Sequence, residues 1–379
     1  MEIRFTIEEG KMVKLKNCNI IEFAELIIGK KLFCFGSGRQ AEGFFSKYRE
    51  LKLEDSLCGF IDNDVEKQGK EKIIIEKSIP IYSFNEFIKK ADDSTIVLTT
   101  SMYCPYMIEQ MDMEEKLDGL FCYIDFLVEN KYCEQKINLK CAGEYRIPKV
   151  IHYCWFGKKE IPEQFVQYME TWKEKCPDYQ IIKWDESNYD LNSSNYVRQA
   201  YNHQKWVFVS DFARLDIIYQ YGGIYLDTDV ELIQNLDPLR YDDFFCGFEQ
   251  NNYVNFGLGF GAVKGHPVLK NLLSKYKSMN FELPNGELNL TACAIYQSEE
   301  MVDQGFKIKN EYQFRNGMSL YPSEVFAPYD LLGLNDFVTQ NTFSIHHYSS
   351  TWWDKKAEIS MEYLRTKLCE YIKRIGFAD

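Results

Sequence analysis

Three features of the sequence predict a chain of two α/β domains. The first 140 residues alternate short apolar runs with polar segments of helical spacing. Residues 130–147 ("NKYCEQKINLKCAGEYRI") lose that periodicity and gain charge, and a second alternation starts at Pro148. We therefore assign residues 1–140 to a smaller Rossmann-like doubly wound α/β domain and residues 145–379 to a larger α/β domain. At 379 residues and 45% hydrophobic content, the chain can support two or three cores, and neither half holds an internal repeat or a low-complexity tract.

In the first domain, "KKLFCFGSG" is a strand ending in glycines and "RQAEGFFSKYREL" is helical by spacing. "SLCGFIDND" is a second strand, "STIVLTTS" a third, "PYMIEQMDMEEKL" a helix and "FCYIDF" a fourth strand. Strand, helix and strand in succession imply a parallel, doubly wound sheet. Gly36-Ser37-Gly38-Arg39-Gln40-Ala41 has the G-x-G-x-x-A pattern of a dinucleotide turn, and Asp62 follows at the distance of a ribose-binding acid. A tight strand-to-helix turn needs those glycines whether or not a nucleotide binds, so both readings stand. Built on this turn alone, an NAD-dependent sugar epimerase or dehydrogenase is an alternative function. Its Tyr-x-x-x-Lys pairs, Tyr48/Lys52 and Tyr201/Lys205, fall in the helix right after the turn and in the other domain.

In the second domain, "KVIHYCWFG" is a strand breaking at Gly157, "EQFVQYMETWKEKC" a helix and "YQIIKWDE" a strand. The run "WVFVSDFARLDIIYQYGGIYLDTDVELI" follows. Ser210 is a natural N-cap, which puts Asp211 and Arg214 on one face of the first helical turn. Phe212, Leu215, Ile218 and Tyr219 form an apolar stripe, and Gly222 and Gly223 end the helix. "IYL" is a short buried strand with Asp227-Thr228-Asp229 at its C-terminal end, where open α/β sheets bind ligands.

Two carboxylates one residue apart in extended chain point the same way. Their repulsion needs an offset, and a hard divalent cation, Mn²⁺ or Mg²⁺, supplies it. A D-x-D alone is a weak signal, since Asp62-Asn63-Asp64 is another. The Ser-Asp-x-x-Arg helix start before Y-G-G-x-Y-x-D-x-D makes the 227–229 pair specific. The formal charge of −13, with no run of Lys and Arg, excludes wrapping of nucleic acid and leaves phosphate binding through a metal. Twelve scattered cysteines without a C-x-x-C pair read as reduced, structural thiols of a cytoplasmic protein. The N-terminus lacks the apolar core of a signal peptide, and no stretch reaches the ~18 apolar residues of a membrane span. The C-terminal "MEYLRTKLCEYIKRIGFAD" suits an amphipathic helix, either packed on its own domain or lying peripherally on a membrane.

On these motifs, residues 148–355 resemble the glycosyltransferases of the sugar-binding-region family with a DxD motif. That family includes bacterial capsular-polysaccharide transferases and the yeast enzyme that initiates outer-chain mannosylation, and it is related to the glucosylating domains of large toxins. The resemblance implies a GT-A type fold, a nucleotide-diphosphate sugar donor, a divalent metal and retaining transfer of a hexose. In "IHYCWFG" it implies that Trp155 stacks on the donor nucleobase, and in "SDFARLD" that Asp211 and Arg214 hydrogen-bond the donor sugar. In "DTD" it implies Asp229 as direct metal ligand, with Asp227 touching ribose or sugar and a metal-bound water. "TFSIHHYSSTWW" is similar to the ligand-x-x-Ser-x-Trp segment that closes the site: His347 and Ser350 complete the metal sphere and Trp352 donates to the leaving diphosphate. His346 competes with His347, since adjacent strand residues face opposite ways. Gly257, Gly259 and Gly261 on alternate positions leave one strand face open for the sugar or lie against another backbone, and Asn289 and Thr291 contact acceptor or donor sugar. The implied donor is a UDP-sugar, and the acceptor a glycan or lipid-linked glycan at the inner face of the membrane. A non-catalytic carbohydrate- or nucleotide-binding assembly protein is the remaining alternative.

Overall fold

The computed structural model describes residues 12–16, 18–101, 103–129, 137, 139, 143–249, 252–329, 338–348 and 366–367. They fall into two compact units, one holding residues 12–129 with 366–367 and the other residues 137–348. Among the described residues no helix is long and apolar enough to cross a membrane.

The first unit contains β1 (Lys14–Leu15), α1 (Ile20–Leu26), β2 (Lys31–Phe35), α2 (Arg39–Lys47), β3 (Leu57–Ile61), β4 (Glu71–Ile74), β5 (Lys77–Tyr82), α3 (Phe84–Lys90), β6 (Thr95–Thr99), α4 (Cys104–Asp112), β7 (Phe121–Ile124) and α5 (Asp125–Glu129). Its strands lie in the order β1-β7-β6-β2-β3-β5-β4. All neighbours are parallel except β4 and β5, so the sheet is mixed where a purely parallel one was expected. The short β4–β5 connection allows only an antiparallel pair, because a parallel one needs a crossover. Capping boxes at Asn19/Glu22 and Ser83/Glu86 start α1 and α3, two helices absent from the sequence reading. Lys367 Nζ lies 3.5 Å from Glu109 in this unit.

The second unit contains β8 (Val150–Cys154), α6 (Glu163–Lys175), β9 (Gln180–Trp184), α7 (Asn195–Asn202), α8 (Trp206–Tyr221), β10 (Gly223–Tyr225), β11 (Val230–Leu232), β12 (Phe244–Gly247), β13 (Phe260–Ala262), α9 (Pro267–Lys277), α10 (Cys293–Asp303), β14 (Gln313–Arg315), β15 (Met318–Tyr321) and β16 (Ser344–His346). Its main sheet runs β14-β15-β12-β13-β10-β8-β9, and β11 pairs with β16 in a separate two-stranded sheet. Strands β10, β8 and β9 are parallel, while β13 runs antiparallel to both β10 and β12. Both units are therefore α/β with mixed sheets.

Helix α8 passes through the core, and Val209, Phe212, Ala213, Leu215, Ile217 and Ile218 are buried around most of its circumference. It ends at Gly222, where φ is 70°, and Gly223 follows at φ 110°. A Cβ at Gly222 would stand 2.9 Å from the Lys264 nitrogen, and one at Gly223 2.8 Å from the Val150 carbonyl, so the pair is required by close approach as well as by φ. The turn is also held from beneath. The Trp184 indole donates to His152 Nδ1 at 3.1 Å, which leaves the proton on Nε2 to donate to the Gly222 carbonyl at 3.1 Å.

Burial pushes the His152 imidazole down to about 4 from its ordinary 6.5. The folded chain keeps the ring neutral at pH values where the unfolded chain protonates it, so stability falls as pH drops from about 6.5 toward 4. Between pH 7 and pH 5 His152 should remove roughly 2 kcal/mol from the second unit, measured by urea unfolding followed through tryptophan fluorescence. The substitution His152→Gln should abolish that part of the pH dependence. His266, also held near 4 by burial, contributes a separate part that the substitution leaves in place.

Candidate functional site

The end of β10 and the segment after it bring the acidic pair into position. Among the described residues, one group of three or more metal-ligating side chains converges: Asp227, Asp229 and His346 each offer an atom, all within 4.8 Å of one another. His346 Nε2 is 3.4 Å from Asp229 Oδ1, while its Nδ1 accepts the Tyr348 N–H at 3.3 Å.

The strand pairing places this histidine. Residues 230–232 of β11 pair antiparallel with residues 344–346 of β16, Val230 opposite His346. Strand β11 is itself fixed by α6: the Trp172 indole donates to the Val230 carbonyl at 2.7 Å, and Thr171 Oγ1 accepts the Leu232 N–H at 2.9 Å. His347 was the expected ligand with His346 as its competitor, and the geometry brings His346, not His347, to the aspartates. His347 faces the other side of the strand, where it is 2.9 Å from Glu231 and stacks on Tyr168 with ring centroids 4.0 Å apart. The physical reason is the alternation of side chains along an extended chain. Ser350 and Trp352 lie outside the described residues.

Behind the acidic pair stands a buried ion cluster. Arg214 Nη2 is 3.2 Å from Asp211 Oδ1 and 3.2 Å from Asp227 Oδ1, and its guanidinium lies 5.1 Å over the Tyr225 ring. Tyr225 donates its hydroxyl to Asp227 Oδ1 at 2.8 Å. Burial pushes the Asp211 carboxyl up to about 6 against the pull of Arg214, with Asp227 adding to the rise. Asp227 is raised as well, by burial first, with Arg214 opposing and Asp229 adding to it. The cluster thus carries more negative than positive charge in a largely dry place, which a bound cation would offset.

Two further expectations are corrected here. Ser210 is not an N-cap: α8 begins at Trp206, so Asp211 and Arg214 sit inside the helix, 3% exposed each, and not in its first turn. The apolar residues Val207, Phe208 and Val209 extend the helix toward its N-terminus, and tertiary burial outweighs the capping preference of serine. Nor do Gly257, Gly259 and Gly261 leave a face open for a ligand. A Cβ at Gly257 would meet Asp227 Oδ2 at 2.5 Å and Arg214 Nη1 at 3.0 Å, one at Gly259 would meet Leu226 at 3.1 Å, and one at Gly261 the Phe245 ring at 2.4 Å. These glycines admit side chains of the protein itself.

Trp155 is half-buried at the end of β8, its indole donating to the Lys159 carbonyl at 2.7 Å and meeting Phe165 edge-on. Asn289 Nδ2 is 3.4 Å from the Tyr296 hydroxyl, and its Oδ1 accepts the Thr291 N–H at 3.3 Å. In the first unit, Asp62 accepts both the N–H (3.1 Å) and the hydroxyl of Ser37 and lies 3.2 Å from Lys67 Nζ. The acid expected on a ribose instead ties the glycine turn to the end of β3.

Residues 162–245 match the family described as "Glycosyltransferase sugar-binding region containing DXD motif". This segment is similar to the DXD-motif glycosyltransferases. It contains Asp211, Arg214, Asp227 and Asp229 and stops short of His346. The chain is 36% identical over 128 residues to Inositol phosphoceramide mannosyltransferase 3 of Schizosaccharomyces pombe, covering 32% of this chain and 35% of that protein. It is 29% identical over 218 residues to Inositol phosphoceramide mannosyltransferase 2 of the same yeast, covering 53% and 58% respectively. Against the Initiation-specific alpha-1,6-mannosyltransferase of Candida albicans it is 29% identical over 162 residues, 34% of this chain and 42% of that one. The chain thus spans between 35% and 58% of the length of these relatives.

The geometry separates the two adjacent histidines. His346→Ala should weaken Mn²⁺ binding on the order of tenfold to a hundredfold, and His347→Ala should leave it within about twofold, as read by calorimetric titration with the metal alone. The reverse order would place the ligand on the wrong side of β16. Gly257→Ala should separate Asp227 from Arg214 and weaken metal binding as well, with α8 helicity intact by circular dichroism.

Proposed function

We propose that this chain is a metal-dependent glycosyltransferase of the GT-A type, moving a hexose from a nucleotide-diphosphate sugar to an acceptor hydroxyl with retention of configuration. One observation carries the reading: Asp227, Asp229 and His346 converge just beyond the C-terminal end of a strand in the parallel part of the sheet, with the Asp211–Arg214 pair behind them, and both DXD acids lie in the segment that matches the DXD family. The donor set, two carboxylates and an imidazole, fits Mn²⁺ or Mg²⁺, with Asp227, Asp229 and His346 as the holding residues. A bound cation supplies positive charge to the oxygens of the departing diphosphate.

The residues of the chain provide the rest of the chemistry. Trp155, anchored by Lys159 and Phe165, offers a ring for the donor nucleobase. Asp211 and Arg214 orient the hydroxyls of the sugar. The bond from carbon one to the diphosphate oxygen breaks, the bond to the acceptor oxygen forms on the same face, and the acceptor proton passes to the diphosphate. Groups fixed before the reaction stabilise charge where it develops, without the cost of reorganising water.

The toxin-like motifs favour a UDP donor, whereas relatives named as mannosyltransferases favour a mannosyl donor and, by their inositol phosphoceramide names, a lipid-borne acceptor. A panel of UDP-glucose, UDP-galactose and GDP-mannose with Mn²⁺ therefore tests the donor, with the product anomer read by NMR. Asp229→Ala should lower the transfer rate on the order of 10²–10³ fold. Tight NAD binding, or nucleotide-sugar binding indifferent to metal, would count against the proposal.

A further inference from the structure

The wall on which Asp227 and Arg214 rest is the backbone at residues 256–257, since a Cβ at Gly257 would stand 2.5 Å from Asp227 Oδ2 and 3.0 Å from Arg214 Nη1. That backbone is a short 3₁₀ turn, Phe256–Leu258, between β12 and β13, and no strand pairing holds the turn itself. Side chains hold it instead. Asn255 Oδ1 accepts the Gly257 N–H at 2.7 Å, and Gln297 Oε1 accepts the Phe256 N–H at 2.8 Å. Ser298 Oγ accepts the Val254 N–H at 2.9 Å.

Gln297 and Ser298 both belong to α10. The Gln297 side chain is fully buried, yet its Nε2 has no partner. Its Oε1 satisfies the buried Phe256 N–H, so an apolar side chain of similar volume would leave that donor unpaired and release the turn.

We infer that α10 positions the donor-sugar end of the site, Gln297 acting through the Phe256–Gly257 backbone on Asp227 and Arg214. This rests on the glycosyltransferase reading. Gln297 does not need to touch substrate: it holds in register groups that do. Because Asp227 also faces the metal site, loss of the contact should weaken Mn²⁺ binding together with binding of the nucleotide sugar.

The test measures two affinities in the full chain by calorimetry: for Mn²⁺ alone, and with Mn²⁺ present for the nucleotide sugar that the wild type prefers in the donor panel. Gln297→Met and Asn255→Ala, which release the same turn from two different residues, should each weaken both on the order of tenfold to a hundredfold. Ser298→Ala, which frees the Val254 N–H outside the turn, should leave both within about twofold. Equal losses in Ser298→Ala would mean that the helix merely supports the fold, and unchanged affinities in Gln297→Met and Asn255→Ala would overturn the inference outright. If Gln297→Met does not fold, judged by circular dichroism, Asn255→Ala decides. A wild type that binds no nucleotide sugar sinks the proposed function itself, an outcome separate from any variant.

Discussion

One guanidinium organises the second unit. Inside α8, Arg214 has almost no exposure and stands 3.2 Å from the buried Asp211 and from the part-buried Asp227, and burying such charges is unfavourable unless each finds its partners in fixed geometry. That condition explains much of the surrounding sequence. Tyr225 must bring its hydroxyl to Asp227, residue 257 must lack a side chain, and α8 must be packed on most sides so that its polar residues cannot turn outward. Even so, the cluster is not neutral, and Arg214 Nε has no partner. A site left with excess negative charge and an unpaired donor is suited to a ligand rather than to the fold alone.

The acidic pair is completed from far along the chain. Strand β16 lies more than a hundred residues after Asp229, and its three-residue pairing with β11 is what presents His346. Helix α6 stabilises that pairing from behind through Trp172 and Thr171. The metal-binding reading therefore depends on a small, separate sheet whose two strands are short, with the register set by backbone bonds and the buried indole. A one-residue slip of β16 would exchange His346 for its neighbour.

The first unit shows how the same motif vocabulary can serve structure. Its G-x-G-x-x-A turn and following acid are both present, but Asp62 is engaged by Ser37 and Lys67. The glycine turn sits where the strand order reverses beside β2, the usual ligand crevice of such sheets. A side-chain carboxylate already satisfies the backbone N–H of Ser37 there.

Local sequence determined most of what has a local cause. The strands of both units with long apolar runs, the glycine stop of α8, the placement of Asp227 and Asp229 just past a strand end, and the pairing of Asp211 with Arg214 at helical spacing all follow from residues within a few positions of one another. The short hairpin β4–β5 and the helices α1 and α3 escaped because their apolar signals are brief and polar residues interrupt them. Tertiary structure alone decided three matters: that α8 starts four residues before Ser210, that His346 rather than His347 joins the aspartates, and that Gly257 makes room for Asp227. Each depends on a neighbour distant in sequence, whether a packed core, a partner strand or a facing side chain, and no periodicity or capping preference within the segment itself encodes that neighbour.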